Sequence, residues 1–360
     1  KPFLYSTAIA NGVTPADIFL DAPLDFDDKN LESQYRPDND NNRYNGPTRL
    51  SEALYRSINL VSMRVLLRVG AGKVLNHVKR FGFDTSSFPR NTQLAIGGGT
   101  MTVAPLDMAK AYAVLANGGY LVEPQIIDRI VNQNGQVVFA NKSPKVCRNC
   151  PAEEEPAANT AASRRQSLAA DPTDWLMDNN SLEDLVESIG QTATPAKYAP
   201  RVLDERNAFI MQSMLRDVVK RGTGRRALVL KRNDLAGKTG TTNDAADTWF
   251  NGFNSSLVAS VWVGFRGQDP LGSNAYGSNV PLPIWIDFMK VALVDVPEIL
   301  PSQPAGVVTI KVDPKTGEAV SPSNPNGISE IFLTENAPNA AQSTNQGGGE
   351  VETIRAVDLF

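Results

Sequence analysis

Residues 235–244 read Leu235-Ala236-Gly237-Lys238-Thr239-Gly240-Thr241-Thr242-Asn243-Asp244, a lysine set among glycines and hydroxyls that can hold an anion. A phosphate loop needs another glycine five positions before the glycine of Gly-Lys-Thr, so that successive backbone N–H groups turn inward on the phosphates. That position is Arg232, and no glycine separates it from Gly237. The stretch cannot wrap a nucleotide and is read as a site for some other anion. The single histidine, His77 in KVLNHVKRFGF, reads as a packing or surface residue of a helix. One histidine and two cysteines leave no ordinary zinc set. A Ser-His-Asp triad would have to use His77, which has no motif around it. Nucleophilic chemistry here therefore points to lysine as the base, with no metal and no cofactor expected.

Around this motif the hydrophobic pattern predicts a mainly helical stretch over about 1–120. KPFLYSTAIANG is helical from its first residue, with Phe3, Leu4, Ala8 and Ile9 on one face and an exit at Gly12. RLSEALYRSINLVSMRVLLRVG carries two apolar series: Leu50, Ala53 and Leu54, then Val61, Val65, Leu66 and Val69. Ser57-Ile58-Asn59 falls between them as a short polar turn. VLNHVKRFGF and PLDMAKAYAVLANGG are two further helices, the second starting at proline and stopping at glycines. IIDRIVNQNGQVVFA is a hairpin around Asn134-Gly135. DERNAFIMQSMLRDVVKR is an amphipathic helix with Ile210, Met211, Met214, Leu215 and Val218 inward. DLAGKTGTT, DTWFNGF and SLVASVWVGF then read as an antiparallel meander with Lys238 on its first strand, covered by a helix around PIWIDFMKVAL. Lys315-Thr316-Gly317 repeats the tripeptide in DPKTGEA, as a hairpin turn between VVTIKV and EAV.

Residues 141–200 are compositionally loose and read as an exposed or disordered insertion, and ENAPNAAQSTNQGGG as a disordered tail. Cys147-Arg-Asn-Cys150 at the start of the insertion is open to redox activity, metal binding or a small disulfide. No strand–turn–helix context supports the first and no second pair supports zinc, so a disulfide is preferred in an oxidising compartment. A net charge of −4 gives no reason to expect nucleic acid. The longest apolar runs, LVASVWVGF and PLPIWIDFMKVALV, are too short or too interrupted by charge to span a bilayer.

The order of signals resembles a known class of serine enzymes. Penicillin-recognising enzymes carry S-x-x-K, S-x-N and K-T-G in that order, and this chain has Lys1, Ser57-x-Asn59 and Lys238-Thr239-Gly240. Longer blocks carry the resemblance further. KPFLYSTAIANG, LAIGGGTMTVAPLDMAKAYAVLANGGY, KRGTGRRA and GKTGTTNDAADTWFNGF are similar to class A high-molecular-weight penicillin-binding proteins of Gram-negative bacteria, over about 1–135 and 200–295. The resemblance implies an α+β transpeptidase fold of the penicillin-binding/β-lactamase-like type, mostly antiparallel sheet with helices and an all-helical lobe. It also implies a domain truncated at its N-terminus. Residues 1–295 would form the transpeptidase domain, 296–335 a small C-terminal β extension and 336–360 the tail.

The same resemblance implies a bifunctional glycosyltransferase/transpeptidase anchored in the inner membrane and facing the periplasm. Its membrane helix, glycosyltransferase domain and nucleophilic serine would lie before residue 1. Its partners would be peptidoglycan stem peptides ending in D-alanyl-D-alanine, β-lactams and cell-wall synthesis regulators, with no nucleic acid. Lys1 would take the proton of the nucleophile. Ser57 would relay protons to the leaving amine, and Asn59 would hold Lys1 and the substrate amide. Lys238 would add charge beside Ser57. The Thr239 and Thr241 hydroxyls would meet the substrate carboxylate along a strand kept bare by Gly240. The Thr241 N–H would belong to the oxyanion hole. A β-lactamase would add a deacylation base, usually Glu in an E-x-x-x-N loop, for which there is no convincing match. A DD-carboxypeptidase would share the motifs, and without the upstream serine the chain would be an inactive fragment. In the periplasm Cys147 and Cys150 would be oxidised.

Overall fold

The computed structural model describes residues 1–24, 37–98, 101–147, 198–267 and 269–338. The first helix, α1 (Pro2–Ala10), starts with proline, whose fixed φ and missing N–H suit a helix's first turn. Its burial is not confined to one face: Leu4, Tyr5, Ser6, Thr7, Ala8 and Ile9 are all inside. Strand β1 (Ile18–Asp21) pairs antiparallel with β2 (Gly46–Arg49), which runs directly into α2 (Leu50–Arg56). Leu50, Ala53 and Leu54 bury as the periodicity predicts. Ser57 then takes a left-handed conformation at φ 61°, breaking the helix so that α3 (Asn59–Val69) departs in a new direction. Val61, Val65, Leu66 and Val69 pack inward. Helices α4 (Ala71–Arg80), α5 (Gln93–Ile96) and α6 (Pro105–Ala116) complete the helical part.

Hairpin β3 (Arg129–Val131) and β4 (Val137–Ala140) belongs to a separate compact unit, Gln125–Ala199, whereas Lys1–Pro124 and Pro200–Phe360 form the main one. Every residue of both strands is exposed. Most of the loose insertion, 148–197, and most of the polar tail, 339–360, lie outside the described residues. Cys147 is disulfide-bonded, and Cys150 lies outside the described residues.

The spine of the main unit is α7 (Glu205–Lys220), capped by Asp204, whose side chain accepts from the Arg206 N–H. Ile210, Met211, Met214, Leu215 and Val218 are all at most 3 % exposed, each contributing roughly 1.5–3 kcal/mol of burial. Helix α7 packs against α1, α2 and α6 and against the first strand of the meander β5 (Ala236–Thr241), β6 (Asp247–Phe253) and β7 (Val258–Gly264). Helix α8 (Pro281–Ala292) covers that sheet, its buried Trp285 meeting Phe250 edge-on at 5.0 Å. His77 is an interior packing residue: its Nε2 lies 2.9 Å from the Ser6 hydroxyl, which also donates to Asn207 Oδ1, linking α4, α1 and α7. No described helix is long and apolar enough to cross a membrane.

The C-terminal hairpin departs from the sequence expectation. Strand β8 (Val307–Val312) pairs along its length with β9 (Ile328–Leu333), not with EAV. Glu318-Ala319-Val320 makes one bridge, Val312 to Ala319, because the tight turn over Asp313–Gly317 returns the chain for only a few residues. ISEIFL then supplies a six-residue partner. This hairpin is docked by a buried ion pair between Arg49 and Glu330, with Ser51 Oγ donating to the same carboxylate at 2.5 Å.

Candidate active site

Three chain segments converge on one cavity of about 850 Å³ in the main unit. Lys1 stands at the N-terminus of α1, Ser57 and Asn59 flank the break between α2 and α3, and Lys238 lies on β5. Lys1 Nζ reaches the Ser57 carbonyl at 2.8 Å, Ser57 Oγ at 3.2 Å and Asn59 Oδ1 at 2.5 Å. Lys238 Nζ reaches the same Ser57 Oγ at 2.8 Å and the Thr239 carbonyl at 3.0 Å. The left-handed conformation of Ser57 turns both its carbonyl and its hydroxyl to one ammonium group.

Two amines sharing one hydroxyl in a buried site cannot both carry full charge cheaply. Burial lowers Lys1 to about 8, against a partial restoring pull from Asp40. Burial also puts Lys238 well below its ordinary value, and Lys1 lowers it further. A neutral Lys1 has two N–H bonds and a lone pair. With the hydrogens on the Ser57 carbonyl and Asn59 Oδ1, the lone pair is left to take a proton. Ser57 Oγ, meanwhile, accepts from Lys238 and keeps its own hydrogen to give. The cluster has the parts of a proton relay.

Strand β5 is an edge of the described sheet, bonded to β6 on one side only. The Thr242 N–H bonds to Asp247 O across that pair. Successive N–H groups alternate along a strand, so those of Thr241 and Thr239 face the open edge, where the cavity lies. Thr241 Oγ1 accepts from the Gly277 N–H at 3.0 Å and retains its own hydrogen for donation. Gly240 faces an unforeseen neighbour: a Cβ on Gly277 would lie 2.6 Å from the Gly240 carbonyl, so glycine at 277 lets that segment lie against the strand. Thr239 Oγ1 lies 2.7 Å from Thr223 Oγ1, and Thr223 N–H bonds to Tyr55 O in the last turn of α2. Asp247 and Trp249 keep packing roles on β6. Asp247 accepts from Trp262 Nε1 at 2.7 Å, and the Trp249 and Trp262 rings lie 6.2 Å apart.

All seven sequence-predicted residues line this cavity. Asn59 Nδ2 donates to Asp40 Oδ1 at 2.9 Å and to the Asp38 carbonyl at 3.2 Å. Sequence reasoning missed Asn39, Asp40, Thr223 and Gly277. The run DNDNN reads only as a polar turn, and KRGTGRRA carries a resemblance but no role.

A half-buried serine between two lysines, beside an edge strand carrying Lys-Thr-Gly, defines a class of acyl-transfer site on this fold. Residues 1–290 match the penicillin-binding protein transpeptidase domain, and the chain belongs to that family. It is 45 % identical to penicillin-binding protein 1A of Pseudomonas aeruginosa over 94 % of this chain and 40 % of that protein. It is 32 % identical to penicillin-binding protein 1A of Vibrio cholerae over 100 % of this chain and 43 % of that one. The crystal structure of penicillin-binding protein 1A from Haemophilus influenzae shares the fold at a TM-score of 0.77 and 31 % identity, covering 94 % of this chain and 48 % of that one. The chain thus spans less than half the length of these relatives.

Proposed function

We propose that this domain cross-links peptidoglycan by a serine acyl-enzyme mechanism acting on stem peptides that end in D-alanyl-D-alanine, and that β-lactams acylate the same serine. The observation that carries the reading is the Lys1–Ser57–Lys238 chain of contacts at 3.2 and 2.8 Å. The nucleophile is a serine three residues before Lys1, one helical turn away, in the longer protein. Lys1 accepts its proton as it attacks the penultimate carbonyl. Ser57 then passes a proton to the departing D-alanine amine, replenished from Lys1, with Lys238 holding the Ser57 oxygen. The terminal carboxylate lies along β5, met by the Thr239 and Thr241 hydroxyls and the positive charge near Lys238. The Thr241 N–H, turned to the open edge, stabilises the oxyanion. An amine of a second stem peptide completes the transfer. In the longer protein this chemistry sits on the periplasmic face of the inner membrane beside a glycosyltransferase, within reach of cell-wall synthesis regulators.

Labelled penicillin tests the reading. The longer protein should label and stay labelled, on that serine alone. Turnover of the label would make the domain a β-lactamase, and no label would make it inert. The pH profile is a second test. With Lys1 lowered from 10.5 to about 8, about a tenth of it is neutral at pH 7. Because the base must be neutral, acylation should rise with pH and level off above roughly pH 8. A rate that is flat from pH 6 to 9 would remove Lys1 as the base.

A further inference from the structure

Asn59 can present either its amide oxygen or its amide nitrogen to Lys1, and only the oxygen leaves the lysine lone pair free. What fixes the choice lies in a neighbouring loop. Helix α3 begins at Asn59 without a side-chain cap from its own N-cap residue, Ile58. Asn39 supplies one: its Oδ1 accepts the N–H of Asn59 at 3.0 Å and of Leu60 at 3.2 Å. Asn39 is only 5 % exposed, and its Nδ2 donates to Asp21 Oδ1 at 2.7 Å and to the Arg43 carbonyl at 2.8 Å. Asp21, fully buried at the end of β1, takes the Asn45 N–H on its other oxygen at 2.9 Å. Residues 38–45 therefore form a shelf pinned to the sheet edge and to the first turn of α3. Asp40 stands next to Asn39 on that shelf.

We propose that Asp40 is a positioning residue of the transpeptidase site, its carboxylate holding the Asn59 amide with the nitrogen outward and the oxygen against Lys1 Nζ. The contacts are Asn59 Nδ2 to Asp40 Oδ1 at 2.9 Å and to the Asp38 carbonyl at 3.2 Å on one side, and Lys1 Nζ to Asn59 Oδ1 at 2.5 Å on the other. Reversing the amide would set its oxygen against a carboxylate and a carbonyl, acceptor against acceptor, and its NH2 against the lysine amine. A carboxylate can only accept here, so it enforces one orientation. Asp40 touches neither Ser57 nor Lys238 through any hydrogen bond of the site. Its charge also pulls directly on Lys1 and Lys238, an effect that Asp40→Leu and Asp40→Asn lose alike; the orientation it imposes runs through Asn59, and the inference rests on the reading of Lys1 as the base.

The test uses the full-length protein, including the residues before Lys1, and the second-order rate of labelling by fluorescent penicillin. Asp40→Leu removes the acceptor and should slow acylation about 10- to 100-fold, the loss expected for one charge-assisted hydrogen bond. Asp40→Asn can still turn an amide oxygen to Asn59 and should keep at least about a third of the parent rate, a loss under about 1 kcal/mol. In an Asn59→Ala background, Asp40→Leu should have almost no further effect, since the two act as one unit. A merely structural role for Asp40 would slow both backgrounds alike and would lower the melting temperature to match. Three results overturn the inference: Asp40→Leu labelling at the parent rate, equal slowing with and without Asn59, or Asp40→Asn falling as far as Asp40→Leu. Failure of the underlying reading is distinct: the parent would not label, or Asn59→Ala would label as fast as the parent.

Discussion

Lys238-Thr239-Gly240 and Lys315-Thr316-Gly317 are the same tripeptide at opposite ends of one helix. At the C-terminus of α2, Lys238 Nζ meets Ser57 Oγ. At its N-terminus, Arg49 Nε donates to the Pro314 carbonyl in the turn that carries Lys315, at 3.0 Å. Lys238 is 4 % exposed, and burial holds its amine well below the ordinary lysine value. Lys315 is exposed, and its backbone N–H bonds to Asp313 Oδ1 as in any Asp-initiated turn. The glycines differ likewise. Gly317 has φ +74°, and a Cβ there would meet the Ala16 carbonyl at 2.2 Å, whereas Gly240 is a strand residue without positive φ, at which a Cβ would meet the Trp249 Cβ at 3.1 Å. On the proposed function, one copy of the motif serves the chemistry and the other supports the fold. The difference comes from an edge strand in one case and a tight turn in the other.

The largest expected effect falls on the first copy alone. In the longer protein, Lys238→Ala should cut penicillin acylation by about 10²- to 10⁴-fold, the range for losing a group that manages proton transfer. Stopped-flow labelling measures it. A loss below tenfold would make Lys238 a bystander and erase the contrast.

The second copy should instead answer through stability. Glu330→Gln removes the buried partner of the Arg49 guanidinium and leaves it only the half-buried Glu52 at 3.5 Å, so the loss should approach the cost of breaking a buried pair, about 3–5 kcal/mol. Thermal or urea unfolding should show that loss, while the folded fraction acylates within about twofold of the parent. Equal loss of rate and stability would mean that the hairpin reaches the chemistry through α2.

The helices and the meander were legible because their side chains obey one period over long windows: Leu50, Ala53 and Leu54, or Ile210 through Val218, are buried as the pattern requires. The site was legible only as separate motifs, since Ser57 and Lys238 lie 181 positions apart and no local pattern brings them to 2.8 Å. The long blocks of resemblance joined them. What stayed hidden was whatever depends on a side chain bonding to another segment's backbone. Asn39 capping α3 from a distant loop and Gly277 lying on Gly240 have no signature in spacing or propensity. The pairing of ISEIFL was hidden for a different reason: EAV stands closer to the turn, and nearness along the chain favours the wrong partner.

Thr241 gives a smaller and more conditional effect. A hydrogen bond from its hydroxyl to a substrate carboxylate is worth roughly 1.5–3 kcal/mol, so Thr241→Val should slow acylation about 10- to 150-fold. Valine also strips the acceptor from the Gly277 N–H, so Thr241→Ser, which keeps that contact and the donor, should recover most of the rate. A penicillin methyl ester has no carboxylate to hold, and Thr241→Val should scarcely slow it. If acid and ester suffer equally, the hydroxyl serves Gly277 and not the substrate.

The smallest expected effect is the sharpest test of the comparison. Lys315→Ala alters the same residue type in the same tripeptide, at a position whose structural contributions come from its backbone. The turn is held by the Lys315 and Thr316 N–H groups on Asp313 Oδ1, at 2.8 and 3.0 Å, and by the Gly317 N–H on the Asp313 carbonyl. Alanine supplies the same N–H and tolerates the same conformation. Stability should stay within about 0.5 kcal/mol of the parent, as for most surface substitutions, and acylation within about twofold. Paired urea titrations and labelling rates on one preparation would check both. A larger change in either would show that the second motif contributes its lysine side chain as well as its turn, and that the two copies differ in degree and not in kind.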